Sequence, residues 1–523
     1  MRDHYRSLAS DAGTPTPFNP GRCWVSELAF EPIVAVRAME EVLRPAMEST
    51  TLRVFLRAKV VAANVRYDRV QAIRAMNLDD GTVLEFEFAY LIDASELGDL
   101  LPLSGAEYVL GAETIAETGE PSAQPEEPHP HCVQSCTYTF ALERRPEHER
   151  HDIARPTKYE HYRDNQPYDL RIEVHGGEIY GEESGWLQYA MFDTVDGTKG
   201  GLWHYRRLVD AAQFCGHYDN DITMFNWPGI DYRDTPLVDR TPEELAFALQ
   251  DAKRVSLGFL HWLQTEVPDP TGPVGFTYLK LRPDVMGTTD GLSKHPYIRE
   301  SRRILPVKRI VEQDVAVAHQ AGPRSRHCED SVGVGWYPID IHQAGEGDVG
   351  VSTRTKPFQI PMGALIPVRL RNLVAGGKNI GTTHITNGCY RLHPVEWNVG
   401  EAAGTLVSCA LRTGTSPRTI HSDPGSRRGV QRALIDDGVP LAWTVDVPYS
   451  DPSFAAVQRL VMVGGYGARD GTLEFGASDP IDSTERRHWL NAMGGSHVPD
   501  PCGPGTVTRA AFAAALARTG NAT

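Results

Sequence analysis

The chain has 523 residues, 41% of them hydrophobic, and a formal net charge of −16. This length suffices to bury a large core and predicts two or three domains, while the acidic balance disfavours nucleic acid or an anionic membrane as a general partner. The eight cysteines are scattered, the N-terminus lacks a basic segment followed by an apolar one, and no apolar run is long enough to cross a bilayer. These features predict a cytoplasmic protein.

The first 116 residues predict one helix and a set of strands. Pro32 suits the first position of a helix, and apolar residues recur on one helical face from Ile33 to Met47. The predicted strands are residues 51–56, 60–65, 70–76, 83–88 and 90–94. The second and third of these are expected to form a hairpin, and the last is largely apolar, as in a buried strand.

The middle of the chain begins with a change in composition. Residues 117–130 are rich in Glu, Pro and small residues, which indicates a solvated connection and a domain boundary. Residues 137–142 then predict a strand. A long helix is predicted after Thr241, because Thr241 and Glu244 match a capping box and Pro242 occupies the favoured first position.

Residues 368–411 combine features of a ligand-binding segment. Leu373–Ala375 predicts a short apolar strand, and the glycines at 376–377 let the backbone approach a ligand closely. An amphipathic helix is predicted to begin near Glu396 and to end before Gly414, a favoured C-terminal cap. The free N–H groups at its start would point toward the glycine turn.

Several motifs carry a resemblance to a known family. They are FNPGRCWVSELAFEP, LIDASELGDLLPLSGAEYVLGAE, WHYRRL, NWPGIDY, PYIRESRRI and residues 368–411. Together they resemble the FAD-dependent oxidoreductases whose flavin domain is interrupted by a substrate domain, the class that includes succinate dehydrogenase and fumarate reductase flavoproteins. The resemblance spans roughly residues 18–411.

The resemblance implies an α/β fold with four parts. They are residues 1–116, the first part of the flavin domain; 117–330, an inserted α+β substrate domain; 331–414, the second part of the flavin domain; and 415–523, a small C-terminal helical domain. Helical stretches near Ala455 and Ala510 support the last of these.

The resemblance also implies FAD as cofactor and places its contacts. Asn398 and Val399 would lie at the N1/O2 edge of the flavin, where the partial positive charge of a helix start favours the reduced ring. The remaining implied contacts are Gly376, Gly377, Lys378 and Asn379 for the ribityl and phosphate part, Ala94 and Ser95 beside the nucleotide, and the backbone near Val60 for adenine. The alternative for each glycine is an ordinary tight turn.

Three residues are candidates for catalysis. Arg391 could bind a carboxylate bidentately, and His384 could act as an acid or base, since the run around them resembles the His and Arg-Leu segment of the fumarate reductase class. The alternative for Arg391 is an ion pair with Glu396 or another acid. His393 is also a candidate, although a loop hydrogen bond is the simpler role for it.

Other polar residues are candidates for the substrate pocket. They are His204, Arg206, Asn226, Trp227 and Tyr232. The alternative is that the tryptophans are core residues and the arginines form surface pairs. The cluster Arg299, Glu300, Arg302 and Arg303 suggests a salt-bridge network between domains. Asp340 and His342 could ligate a metal, but no full ligand set follows, and no metal site is predicted.

The chain departs from the family pattern at two points. The strand, GxGxxG turn and helix that hold the pyrophosphate in this class are not found, so either the start is truncated or the FAD site is incomplete. After Asp93, Glu96 replaces a small residue and could repel phosphate.

The leading prediction is a cytoplasmic FAD-dependent oxidoreductase. It would transfer hydride between flavin and an unidentified small-molecule substrate, with no nucleic-acid or membrane partner. The alternatives are a flavin-free remnant or binding protein of the same fold and, more remotely, a carbohydrate hydrolase.

Overall fold

The computed structural model describes residues 1–9, 18–174, 185–192, 201–267, 274–345, 350–494, 499–503 and 505–518. Helices and strands are interleaved throughout these ranges, so the mixed α/β class is confirmed. None of the helices in these ranges is both long and apolar enough to cross a membrane.

The N-terminal region is built around a three-stranded antiparallel sheet. Its elements are α1 (Arg2–Leu8), α2 (Pro32–Glu48), β1 (Ala58–Arg66), β2 (Arg69–Asn77), β3 (Val83–Glu87), β4 (Leu91–Asp93), α3 (Leu100–Ser104), β5 (Tyr108–Val109) and α4 (Ile115–Thr118). The predicted hairpin is confirmed as β1 and β2, with β3 on the far side of β2. The predicted strand at 51–56 is wrong. Pairing with β2 begins only at Ala58, and Leu56 is 82% exposed.

The apolar face of α2 is exposed, unlike the apolar face of a typical amphipathic helix. The helix is confirmed, with Pro32 in its first turn. Its apolar stripe is not buried by the described residues, since Ile33, Met39 and Met47 are 41%, 54% and 45% exposed. Val34, off this stripe, is buried instead.

The middle region packs helices around a second, aromatic-rich core. Its elements are β6 (Phe140–Arg144), α5 (Tyr159–Asn165), β7 (Arg171–Val174), β8 (Gly185–Gln188), α6 (Leu202–Tyr205), β9 (Arg207–Val209), β10 (Ile222–Phe225), α7 (Pro242–Thr265), β11 (Leu279–Leu281), α8 (Pro283–Met286), β12 (Arg303–Ile304) and α9 (Glu312–Val315). A four-stranded sheet has the order β11-β6-β10-β9. The predicted capping box of α7 is confirmed, and Val255, Phe259 and Leu263 on α7 are fully buried in this core.

The next region is the second part of the predicted flavin domain, and it pairs with the first part through one strand. Its elements are β13 (Ser331–Gly335), β14 (Ile339–Ile341), β15 (Val351–Thr353), β16 (Phe358–Pro361), β17 (Leu373–Ala375), α10 (His384–Tyr390) and α11 (His393–Thr413). Strand β17 pairs in parallel with β4, which sets Ala375 opposite Asp93. Helix α11 begins three residues earlier than predicted, with Pro394 in its first turn, and ends before Gly414, whose φ of 67° confirms the predicted C-terminal cap.

The C-terminal region is helical, as predicted, but it contains more than two helices. These are α12 (Pro417–Ser422), α13 (Pro424–Asp436), α14 (Phe454–Gly464), α15 (Ser483–Gly494) and α16 (Arg509–Arg518). Leu434 and Val461 belong to the same hydrophobic core as Val399 of α11. The boundaries proposed at 116, 330 and 414 remain predictions.

Candidate active site

A cavity of about 920 Å³ lies where the middle region meets β14 and the junction of α10 with α11. Four residues predicted from the sequence line it, namely Arg206, Asn226, Arg391 and His393. Its volume lies in the range of small-molecule sites. The structure therefore brings together candidates from two separate parts of the chain.

The other pocket candidates lie outside the lining of this cavity. Trp227 is a core residue whose indole N–H donates to the carbonyl of Asp169 at 3.0 Å. Tyr232 is buried in the same core, and its backbone N–H donates to the carbonyl of Cys136 at 2.8 Å. His204 lies half-buried in α6. Trp227 and Tyr232 are therefore core residues, which was the alternative considered for the tryptophans.

Alternating charges cross one wall of the cavity. Arg299 Nη2 lies 3.0 Å from Asp231 Oδ1, and the other Asp231 oxygen accepts from His342 Nδ1 at 2.6 Å. His342 Nε2 lies 3.4 Å from Asp340 Oδ2, which in turn lies 3.3 Å from Arg391 Nη2. Basic and acidic side chains thus alternate over these five residues, which we call the charge relay.

Both aspartates of the charge relay are held ionised. Burial alone would raise the pKa of Asp231, but the charges of Arg299 and His342 lower it well below its usual range. The pKa of Asp340 is lowered in the same way, because His342 and Arg391 outweigh burial. Thr137 also donates its hydroxyl hydrogen to Asp231.

Arg391 reaches the cavity from the end of α10, where it is the first residue after the helix. Its Nη1 donates to the Tyr297 hydroxyl at 3.0 Å, and its Nη2 donates to the Asp340 carbonyl at 2.9 Å. Its acidic partner is Asp340 rather than Glu396. The Nε atom is buried and has no hydrogen-bond partner among the described residues.

His384 lies in a different environment from Arg391. Its Nδ1 is 2.9 Å from Glu300 Oε2, and Glu300 is also paired with Arg303. Although burial opposes the charged form, Glu300 raises the pKa of His384. His384 therefore belongs to a buried ion cluster and does not line the large cavity.

The glycine turn after β17 is fixed against β4. The Gly376 N–H donates to the Asp93 carbonyl at 2.8 Å, and the Asn379 side chain donates to the same oxygen at 2.9 Å. A Cβ at Gly376 would come within 2.5 Å of the Ile92 side chain, so only glycine fits there. Ser95 donates from both its N–H and its hydroxyl to Asp93 Oδ1.

A strip without side chains extends from this turn along α11. A Cβ at Gly404 would meet nothing within 4 Å, and one at Gly400 would come no closer than 3.8 Å to another atom, the Gly376 carbonyl oxygen. Both glycines are exposed, as is Ala94 beside the turn. This strip lets a flat group approach the backbone, and in that respect the residues present fit a flavin ring and its ribityl chain.

Lys378 is already compensated by two acids. Its ammonium lies 2.7 Å from Glu96 and 3.3 Å from Glu396, and despite burial these acids raise its pKa. Glu96, expected to meet phosphate, instead pairs with this lysine.

Three further predicted cofactor contacts are Asn398, Val399 and Val60. Asn398 accepts the Val334 N–H at 3.0 Å, and Val399 is fully buried in the core. Val60 lies half-buried in β1 opposite Ala75.

Sequence reasoning missed the members of the charge relay as a group. Asp231 lies in the motif NWPGIDY, from which Asn226, Trp227 and Tyr232 were chosen as candidates instead. Arg299 lies in PYIRESRRI and was assigned to a salt-bridge network between domains. Asp340 and His342 were considered only as metal ligands. Within the described ranges, no group of three His, Cys, Asp or Glu residues could hold a metal ion.

Comparison with known proteins gives one match. The sequence model of the family described as FAD dependent oxidoreductase matches residues 1–434. Neither the curated proteins nor the solved structures contain a match. Since the matched residues make up most of the chain, this protein belongs to the FAD dependent oxidoreductase family.

Proposed function

We propose that the protein is an FAD-dependent oxidoreductase that transfers hydride between flavin and a small carboxylate-bearing substrate held in the 920 Å³ cavity. Family membership supports the flavin chemistry. The observation that carries the substrate proposal is the position of Arg391 in the cavity wall, where its Nε has no hydrogen-bond partner among the residues that the structure describes. A guanidinium in this state suits the planar oxygens of a carboxylate.

The charge of the cavity wall supports an anionic substrate. Among the described residues that line it, five arginines face three aspartates, and no lysine or glutamate takes part. The protein as a whole has a net charge of −16, so the cationic wall is a local feature. Such a wall attracts a small anion electrostatically.

The cofactor would be held by the glycine turn and its neighbours. We assign the ring and ribityl contacts to Gly376, Gly377, Lys378 and Asn379 with Asn398, and the nucleotide contacts to Ala94, Ser95 and Val60. Val399, predicted as a further ring contact, is not part of this assignment, because it is fully buried in the core and α11 already begins at His393. Bound FAD would supply the hydride-transfer chemistry.

The residues of the cavity would bind the substrate and hold its proton. Arg391 would orient the carboxylate, while Asp340 and Tyr297 fix the guanidinium. Desolvation and the charge of Lys378 lower the pKa of His393, so its ring is neutral at pH 7 and a ring nitrogen can accept a proton. Arg206 would add a second cationic contact.

A titration with FAD tests the cofactor assignment. We expect saturable quenching of FAD fluorescence by the purified protein, and bleaching of the flavin when a reducing carboxylate from a panel is added without oxygen. Protein that neither binds FAD nor contains it would contradict the proposal.

The second candidate function is a flavin-free binding protein. The compensation of Lys378 by Glu96 and Glu396 favours it, because this lysine then has little charge left for a phosphate. Carboxylates that bind the cavity in calorimetry, without any affinity for FAD, would select this alternative.

A further inference from the structure

A small cavity of about 20 Å³ lies behind one wall of the larger one. Ile341 and Val351 line both cavities and separate them, and the small one is also lined by Glu113, Glu120 and His384. About 10–15 Å³ of such volume is enough for one water molecule. The size of the small cavity therefore matches a single water.

Two carboxylates in this lining each have one unused oxygen. Glu113 and Glu120 are 6% and 0% exposed, and Glu113 Oε1 and Glu120 Oε2 are buried without a hydrogen-bond partner. Their other oxygens are used. Glu113 Oε2 accepts the His384 N–H at 2.9 Å, and Glu120 Oε1 accepts the Thr383 hydroxyl at 2.7 Å and the Glu312 N–H at 2.7 Å. The two free oxygens need a partner that the described side chains do not supply.

The charges around the small cavity do not balance. Among the described residues, the acids are Glu113 and Glu120, Glu300 just before β12, and Glu312 at the start of α9. The cations are Arg303, which contacts Glu113 and Glu300, and His384, which contacts Glu300. Four carboxylates thus face two cations in a buried region, and a proton on one carboxylate reduces the excess.

Glu120 is the carboxylate best placed to carry this proton. It has no cationic partner within salt-bridge distance among the described residues, whereas Glu113 and Glu300 both contact Arg303. Glu312 also lacks a cationic partner there, but both of its oxygens accept hydrogen bonds from Ser122, so neither is free. Burial raises the pKa of Glu120 to about 7. A proton on its free oxygen would make that oxygen a donor, while the free oxygen of Glu113 would remain an acceptor.

We propose that the small cavity binds one water molecule, which accepts a hydrogen bond from protonated Glu120 and donates one to ionised Glu113. This water would give both free oxygens a partner and would leave each acid in the state that its neighbours favour.

The site connects pH to the position of Arg391. Thr383 and His384 begin α10, Arg391 follows its end, and Glu120 and Glu113 hold the first two of these residues. The folded pKa of Glu120 lies above the ordinary glutamate value. Its contribution to stability is therefore complete below about pH 4.3 and is lost as the pH rises through about 7.

A crystal structure of the unmodified protein at pH 5.5 tests the water directly. We expect density for one water within hydrogen-bond distance of Glu113 Oε1 and Glu120 Oε2. An empty cavity, or direct contact between the two carboxylates, would overturn the proposal.

Infrared difference spectroscopy tests the proton. The unmodified protein should show the C=O band of a protonated carboxylic acid at pH 5.5, and this band should disappear between pH 6 and 8. Asp93 is also a buried acid and Glu396 a half-buried one, and burial raises the pKa of both. Glu120→Gln should therefore weaken the band, and Glu126→Gln, at an exposed residue nearby, should leave it unchanged. A band of equal strength in Glu120→Gln, or no band in the unmodified protein, would refute a protonated Glu120.

Discussion

Two buried cations, Lys378 and Arg391, illustrate how differently this protein uses its positive charges. Their side chains are 5% and 3% exposed, so both have lost most contact with water. Lys378 has two carboxylate partners, at 2.7 and 3.3 Å. Arg391 has one carboxylate oxygen at 3.3 Å and otherwise binds a phenol and a carbonyl.

The difference indicates where an added anion would find an unsatisfied cation. At Lys378 a new anion must compete with Glu96 and Glu396, whereas at Arg391 it meets a guanidinium whose Nε has no partner within the described part of the chain. Burial of a cation therefore does not identify a binding site. The useful signal is burial together with incomplete compensation.

The largest expected effect comes from breaking the charge relay that supports Arg391. Asp231→Asn removes the charge that Arg299 and His342 face, and loss of one partner from a buried pair costs about 3 to 5 kcal/mol. We expect a loss of this size in the free energy of unfolding at pH 7, measured by urea denaturation. Asp79→Asn, in an exposed pair with Arg57, should cost less than about 1 kcal/mol.

The pH dependence gives a check on the same residue. The folded pKa of Asp231 is below the unfolded value of about 3.9, so its contribution is present above that pH and is lost as the pH falls below it. Asp231→Asn should flatten the acid side of the stability curve. If the variant loses stability just as steeply when the pH falls, the charge of Asp231 does not stabilise the folded protein.

An intermediate effect is expected at Arg391 itself. Arg391→Lys keeps the charge but replaces the planar fork by an ammonium, so the affinity for a carboxylate should fall by roughly 10- to 100-fold. The measurement is calorimetry with whichever simple carboxylate binds best to the unmodified protein. Arg412→Lys, at the exposed end of α11, is the matched control. Equal affinity in the Arg391 variant would remove Arg391 from the binding site.

The smallest effect is expected at Lys378. Glu96→Gln removes one of its two acidic partners, and if Lys378 contacts the cofactor, FAD should bind about threefold to tenfold more tightly. Fluorescence titration measures this change, with Glu87→Gln on the exposed part of β3 as control. Weaker or unchanged binding would place the phosphates away from Lys378.

Elements with local signals were predictable from the sequence. The capping box of α7, the hairpin of β1 and β2, and Gly414 at the end of α11 each depend on residues within a few positions of one another. Arg391 was also identified in advance as a site candidate, because it stands in a motif that resembles the family. Such signals act through backbone geometry and hydrogen bonds within a turn or a strand pair.

Only the tertiary structure decided which charges pair and which surfaces are covered. Asp231 meets His342 across 111 positions of sequence, and the paired residues of β4 and β17 are 282 positions apart. Histidine is a common catalytic base, yet His384 lies with Glu300 and Arg303 in a buried ion cluster. The sequence determined the helices, the turns and the identity of the ionisable groups. Which opposite charge each ionisable group meets, and how fully that charge neutralises it, depended on long-range packing. The reason is that electrostatic energy is set by distance and burial in space rather than by spacing along the chain.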